Sequence, residues 1–272
     1  MVRSAPELAA VPGGLLTEDS PEVSVVIPAY NEAPSLELIA GRIRDVLERE
    51  KRTYEIIFVD DGSRDESWNI LKRIHLLDPR VRVRRLDGQQ GKSAALSSGF
   101  RAVRGRIVVT MDADLQDLPE EIPILIAALE KDSLDLVQAW RSDRHDSAHK
   151  VFASSTFNTC CSLLSGLPLR DINCGFKAMR SEVARRLSLD TDMHRFIPIL
   201  VHRSGARVAE VSVRHARRAF GQSKYGLMRY LHGIRGLFTV VLIPRLLRRP
   251  LPALSTDLSD SHPSEDHHGS LG

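Results

Sequence analysis

From Val23 to Trp140 the chain alternates short apolar runs with segments whose apolar residues recur every three or four positions. "VSVVIP" (Val23 to Pro28), "YEIIFVD" (Tyr54 to Asp60), "RIVVTM" (Arg106 to Met111) and "LDLVQAW" (Leu134 to Trp140) are hydrophobic runs of strand length. "SLELIAGRIRDVLERE" puts Leu36, Ile39, Ile43, Val46 and Leu47 on one helical face, with Ser35 as candidate N-cap. "DESWNILKRIHLL" does the same with Ile70, Leu71, Ile74 and Leu77, and Ser63 or Asp65 can cap it. "KSAALSSGFRAV" predicts a small-residue helix stopped near Gly105, and "PEEIPILIAALEK" a further helix. "VRVRRL" (Val81 to Leu86) alternates, as a half-buried edge strand does. Strands that are apolar on both faces, each followed by a helix, imply an α/β fold with a mostly parallel central sheet and helices on both faces. Ligands of such sheets bind beyond the carboxyl ends of the strands. Those ends are polar here ("PAYNE", "DDGS", "MDADLQD" and "RSDRHD") and are expected to converge on one rim.

The second half is less regular. Helices are predicted over Val151 to Gly166 and His194 to Gly205, a loop entering a strand over Asp171 to Arg180, and a strand over Ala206 to His215. The folded body is expected over residues 21–226, after a Pro/Gly/Ala-rich lead (1–20) and before a basic helix (227–249). The acidic Ser/Asp/His-rich tail (250–272) reads as disordered. No long apolar stretch follows Arg3, so no signal peptide is expected. Cys160, Cys161 and Cys174 have no disulfide or zinc spacing and read as buried, reduced thiols. Net charge is only +3, yet residues 203–249 carry eleven basic side chains against one acid, Glu210, a net +10. A field of that sign suits phosphate, lipid headgroups or nucleic acid.

The strand ends exclude some chemistries. A dinucleotide fold needs G-x-G-x-x-G after the first strand, and "PAYNEAPS" has no glycine. "GQQGKSA" fails the phosphate-loop pattern because position 86 is Leu86. Lys92 at a helix start can still approach a phosphate. In "MDADLQD", read as continuing strand, Asp112, Asp114 and Gln116 share one side, and Ala113 leaves room for a ligand. Two carboxylates and an amide oxygen suit Mg²⁺ or Mn²⁺ on a diphosphate; a solvated acidic turn is the alternative. Asp117 is assigned to capping the helix after Pro119. In "VDDGS" an Asp can accept from a base N–H, or the motif is simply a turn.

"VVIPAYNE", "FVDDGSRDES", "GQQGKSAAL" and "MDADLQDLPEE", in that order, resemble glycosyltransferase family 2 enzymes of the GT-A fold. With "RFIP", "G-ARVAEV" and "FGQSKYG", the chain from Val23 to Leu247 resembles the polyprenyl-phosphate branch, typified by dolichol-phosphate mannosyltransferase. The resemblance implies an inverting hexosyltransferase that uses Mg²⁺ or Mn²⁺. A nucleotide sugar (UDP- or GDP-linked) would be the donor and a polyprenyl phosphate the acceptor. Pro28, Tyr30, Glu32, Asp60, Asp61, Gly91, Lys92 and Ala113 would hold the donor, while Asp112, Asp114 and Gln116 would hold the metal. Arg141, Arg144, Lys177 (where relatives often carry Arg), His194, Arg195, Phe196, Arg218, Ser223 and Lys224 would face the acceptor. Asp192 lies near the place of the base in members that glycosylate hydroxyls, so a hydroxyl acceptor in cell-wall, capsule or glycan synthesis stays open. Nucleic acid is not an expected partner. Many such relatives carry two membrane spans after the catalytic domain, whereas Gly236 to Pro244 falls far short of the roughly 20 residues one span needs. The 227–249 segment has amphipathic, basic spacing, which suits peripheral contact at the cytoplasmic membrane face, packing on the sheet, or a dimer contact.

Overall fold

A computed structural model describes residues 20–141 and 158–216. Arg144, Arg218, Ser223, Lys224, the 227–249 segment and both terminal segments lie outside the described residues. The elements run β1 (Val23–Ala29), α1 (Leu36–Arg49), β2 (Tyr54–Asp60), α2 (Ser67–Leu77), β3 (Val81–Arg85), α3 (Lys92–Phe100), β4 (Ile107–Thr110), α4 (Ile122–Lys131) and β5 (Leu136–Arg141). They continue with α5 (158–165), β6 (Lys177–Arg180), α6 (Ser181–Arg186), α7 (Ile197–Arg203) and β7 (Val208–Val213). Short 3₁₀ turns at Pro119–Glu121 and Met193–Phe196 lead into α4 and α7.

The seven strands form one sheet in the order β3-β2-β1-β4-β6-β5-β7. All neighbours are parallel except β6, which runs antiparallel to both β4 and β5. The alternation of strand residues explains why the runs are apolar throughout. Val23, Val25, Ile27, Ile56 and Phe58 face one core with α1, α2 and α4. Val26, Ile57 and Val59 face a second core with α3, α6 and α7. The small residues of α3 serve close packing, since a Cβ on Gly99 would fall 2.4 Å from Val26 Cγ1.

Several local expectations are revised. α3 ends at Phe100, and Gly105 instead lies against the Ser24 backbone. Ser35 holds the N-cap position of α1, but its hydroxyl donates back to the Glu32 carbonyl at 2.8 Å. Glu66 precedes α2, and Asp65 Oδ1 accepts the Ser67 N–H at 3.0 Å. The helix α6 was not anticipated, because its six residues are too few to display a period. Cys161 and Cys174 are buried free thiols, whereas Cys160, one residue round the same helix, is exposed. No helix among the described residues is long and apolar enough to cross a membrane.

At the amino end of the sheet Glu55 is 1% exposed. It accepts from Ser24 Oγ at 2.7 Å, from Arg82 at 2.7 Å, and from the Arg104 backbone N–H at 2.7 Å and Nε at 3.0 Å. Burial pushes its carboxyl up, but these bonds outweigh that and hold it below the ordinary glutamate range. A depressed folded value means the stabilisation is present above the unfolded value and is lost as pH falls through the folded one. Glu55→Gln should therefore cost about 3 kcal/mol at neutral pH, because two guanidinium groups lose a buried partner. Denaturant unfolding from pH 7 to pH 3 checks this: the gap between wild type and variant should narrow in acid, and a constant gap contradicts the assignment.

Candidate active site

The rim at the carboxyl ends of β1, β2, β4 and β5 gathers the polar motifs, the one after β5 being described only at Arg141. The loops after β1 and β2 are fastened together. Asn31, at φ 52°, donates its N–H to Ser63 Oγ at 2.9 Å and accepts the Arg64 N–H at 2.8 Å. The Glu32 N–H reaches Ser67 Oγ at 2.9 Å. Pro28, Tyr30 and Glu32 are half-buried along this seam. Asp60 is fully buried, 3.0 Å from Arg85 Nε, and accepts the Ser63 N–H at 3.2 Å. Asp61 accepts the N–H groups of Gln90 at 2.7 Å and Gly91 at 2.9 Å, so it shapes the loop into α3. Burial raises the Asp61 carboxyl against those bonds. Gly62 is required where these loops touch: its φ is +70°, and a Cβ would lie 2.5 Å from the Gly88 carbonyl carbon.

The acidic loop does not continue the strand. β4 stops at Thr110, and Leu115 takes a left-handed φ of 63°, so period-two alternation fails as the reason for grouping Asp112, Asp114 and Gln116. A turn brings the acids together instead. Asp114 is buried and its Oδ1 accepts the Gln116 N–H at 3.1 Å. Asp117 does not cap the following helix. Its Oδ2 accepts the Asp112 N–H at 3.1 Å, and no side chain caps the 3₁₀ turn at Pro119–Glu121. Burial, then the charges of Asp112 and Asp114, push Asp117 up to about 7.

Asp112 lies at the centre. Its side chain is 38% exposed, and Oδ1 forms an ion pair with Lys92 Nζ at the start of α3. Burial would raise its carboxyl, but Lys92, then Lys177 and Arg141, hold it below the usual carboxylate range. On its other side is bare backbone, since a Cβ on Gly175 would come 2.7 Å from Asp112 Oδ1. Thr110 Oγ1 donates to the Gly175 carbonyl at 2.8 Å, which fixes that approach.

The loop carrying Gly175 is built from below. Gln138, fully buried in β5, places Nε2 3.1 Å from the carbonyls of Asp171 and Cys174. Arg141 makes a two-pronged pair with Asp171 at 2.6 and 3.0 Å. Lys177 is 3% exposed and donates to the Cys174 carbonyl, while burial, with Lys92 nearby, pulls its ammonium down to about 8. His194 Nδ1 is 3.0 Å from Ser93 Oγ, which also accepts the His194 N–H at 3.2 Å, so the Met193–Phe196 turn sits on the head of α3. Arg195 NH1 lies 3.5 Å from Asn173 Oδ1. Asp192, at φ 64°, opens that turn.

Thus Lys92, Asp112, Asp114, Arg141, Lys177, His194 and Arg195 occur on one rim, as their motifs suggest. Gln138, Asp171, Asn173, Gly175 and Ser93 were not singled out from sequence. A polar glutamine within an otherwise apolar β5 run was the one available signal. Among the described residues no three His, Cys, Asp or Glu side chains form a metal cage. The donor set still fits Mg²⁺ or Mn²⁺, which keep positions for water and substrate phosphate, and the charges of Asp112 and Asp114 that add to burial in raising Asp117 are ones a divalent ion would offset.

A model of the family described as "Glycosyl transferase family 2" matches residues 24–189. The chain is 39% identical over 218 residues to an undecaprenyl-phosphate 4-deoxy-4-formamido-L-arabinose transferase of Pseudomonas fluorescens, covering 80% of this chain and 64% of that protein. It thus spans less than two thirds of that relative's length. It is 34% identical over 233 residues to a dodecaprenyl-phosphate galacturonate synthase of Rhizobium johnstonii, covering 84% of this chain and 69% of that protein. A crystal structure of glucosyl-3-phosphoglycerate synthase from Mycobacterium tuberculosis, in complex with Mn²⁺, UDP and phosphoglyceric acid, superposes with a TM-score of 0.60. At 21% identity, over 81% of this chain and 77% of that one, it shows a shared GT-A fold. The ordered rim motifs, the sheet that carries them and these relatives agree that the chain belongs to glycosyl transferase family 2.

Proposed function

We propose that this chain is an inverting glycosyltransferase that moves a sugar from a UDP- or GDP-linked donor to a polyprenyl phosphate, with Mg²⁺ or Mn²⁺ on the donor's diphosphate. The observation that carries the reading is the opposition of charges at Asp112. Carboxylates that can hold a cation lie beside Lys92 on the donor side and beside Lys177 and Arg141 on the other. The names of the relatives from Pseudomonas fluorescens and Rhizobium johnstonii support a polyprenyl phosphate as acceptor, and the Mn²⁺ and UDP of the mycobacterial structure support the donor and metal classes.

In this reading the fastened loops after β1 and β2 receive the nucleoside, and α3 presents Lys92 to the diphosphate. Asp112 and Asp114, with Gln116, would hold the ion. Bound there, it would offset charge building on the departing nucleoside diphosphate. The acceptor phosphate is already ionised near neutral pH, so orientation matters more than a general base. Arg141, Lys177, His194 and Arg195 would orient it, joined by Arg144, Arg218, Ser223 and Lys224. Arg141 would exchange its Asp171 partner for phosphate, a similarly forked acceptor. Contact with the cytoplasmic face of the membrane, through the basic 227–249 segment, would bring the lipid to the rim.

A second reading rests on Asp192. It opens the turn seated on α3, where a carboxylate could serve a hydroxyl acceptor as base. The two readings separate in an assay that offers a nucleotide sugar either a short polyprenyl phosphate or a hydroxyl acceptor. Asp114→Ala should lose on the order of 100-fold in turnover, the usual effect of removing one charge stabiliser. Wild-type turnover in that variant contradicts the metal assignment. Asp192→Asn should stay within a few-fold of wild type on the polyprenyl phosphate, whereas wild-type transfer to the hydroxyl acceptor that falls about 100-fold or more in this variant supports base catalysis on a hydroxyl. Gly175→Ala, which pushes the Asp112 carboxylate aside, should also lower turnover by on the order of 100-fold while leaving the thermal midpoint nearly unchanged.

A further inference from the structure

Lys92 is placed to do more than meet a donor phosphate. Its ammonium pairs with Asp112 Oδ1. The charges of Asp117 and Asp114 act on it as well, so it is a counter-ion shared by the acidic loop, with Lys177 and Arg141 beside it. The Asp112 carboxylate has little freedom to retreat, because the Gly175 backbone lies against it on the opposite side. Lys92 itself is anchored as the first residue of α3, whose second residue, Ser93, is bonded to His194. A divalent ion arriving alone at Asp112 would therefore meet an ammonium already on the same carboxylate. Two like charges on one acceptor repel, and one must leave or find another anion.

We infer that Lys92 strengthens the coupling between cation and nucleoside diphosphate binding, by holding Asp112 until a diphosphate draws its ammonium away. This rests on the donor reading above and adds the order of events. The cation alone binds poorly, the diphosphate gives Lys92 a new partner, and Asp112 is then released to the cation. Because such coupling is reciprocal, the cation must strengthen diphosphate binding by the same factor. Lys92 is a positioning residue here: it acts on the cation through Asp112.

The test is Mn²⁺ binding followed by electron paramagnetic resonance, on the full chain, with and without UDP or GDP. In wild type, Mn²⁺ alone should bind weakly, and the better of the two nucleotides should tighten it by roughly 5- to 150-fold, the usual span of such couplings. In Lys92→Gln, Mn²⁺ alone should bind at least several-fold more tightly than in wild type, and the gain from nucleotide should shrink to the part that direct contact between ion and diphosphate supplies. Lys92→Arg keeps the charge and should keep the coupling. A merely structural lysine would weaken both ligands together and could not tighten the cation. If Lys92→Gln binds Mn²⁺ alone no better than wild type, with its thermal midpoint intact, the inference is overturned and the donor reading survives. If wild type binds no Mn²⁺ with either nucleotide, the donor reading falls and the inference falls with it.

Discussion

Three carboxylates, Asp112, Asp114 and Asp117, follow β4 within six residues, and their mutual repulsion is the constraint that the rest of the rim answers. Left alone in a buried turn they would protonate or force the loop open. The chain sets cations around them. Lys92 comes from the head of α3, Lys177 from the first residue of β6, and Arg141 from the last residue of β5. Each comes from a different element, so α3 and the sheet together hold the charges around the acids.

The reversed strand β6 is what makes this possible. A strand parallel to β4 would deliver its carboxyl end to the rim and its first residue to the far side. Running antiparallel, β6 starts at the rim, pairing Lys177 with Thr110 on β4 and with Gln138 on β5. The loop entering β6 then crosses directly over the end of β4. Gln138 holds that loop from beneath, Asp171 holds it through Arg141, and Gly175 permits its backbone to touch Asp112. The Lys92 side and the Lys177–Arg141 side of the rim thus meet at a single carboxylate.

Much of the fold was legible in the sequence, because the first half obeys local periods. β2 spans Tyr54–Asp60 as its apolar run does, and the α1 apolar stripe (Leu36, Ile39, Ile43, Val46, Leu47) is the buried face. The gathering of motifs on one rim followed from strand polarity alone. What escaped was set by contacts distant in sequence. The direction of β6 leaves no mark in four residues, Lys177–Arg180. Asp117 looked like a cap because Pro119 follows it, yet its carboxylate is claimed by the Asp112 N–H across a turn that only the left-handed Leu115 reveals. Gly175 carries no signal of its own: its role exists only because a carboxylate from another strand end lies against it.

We propose that this rim joins a metal-held nucleotide sugar to a lipid phosphate. This is tested most directly by supplying a panel of UDP- and GDP-sugars with undecaprenyl phosphate in vesicles, and measuring lipid-linked sugar before and after chelation. Product is expected with at least one donor, with its loss on chelation and its return with added Mn²⁺ or Mg²⁺. Product formation that ignores the chelator, or donor turnover that never reaches the lipid phosphate, would contradict it.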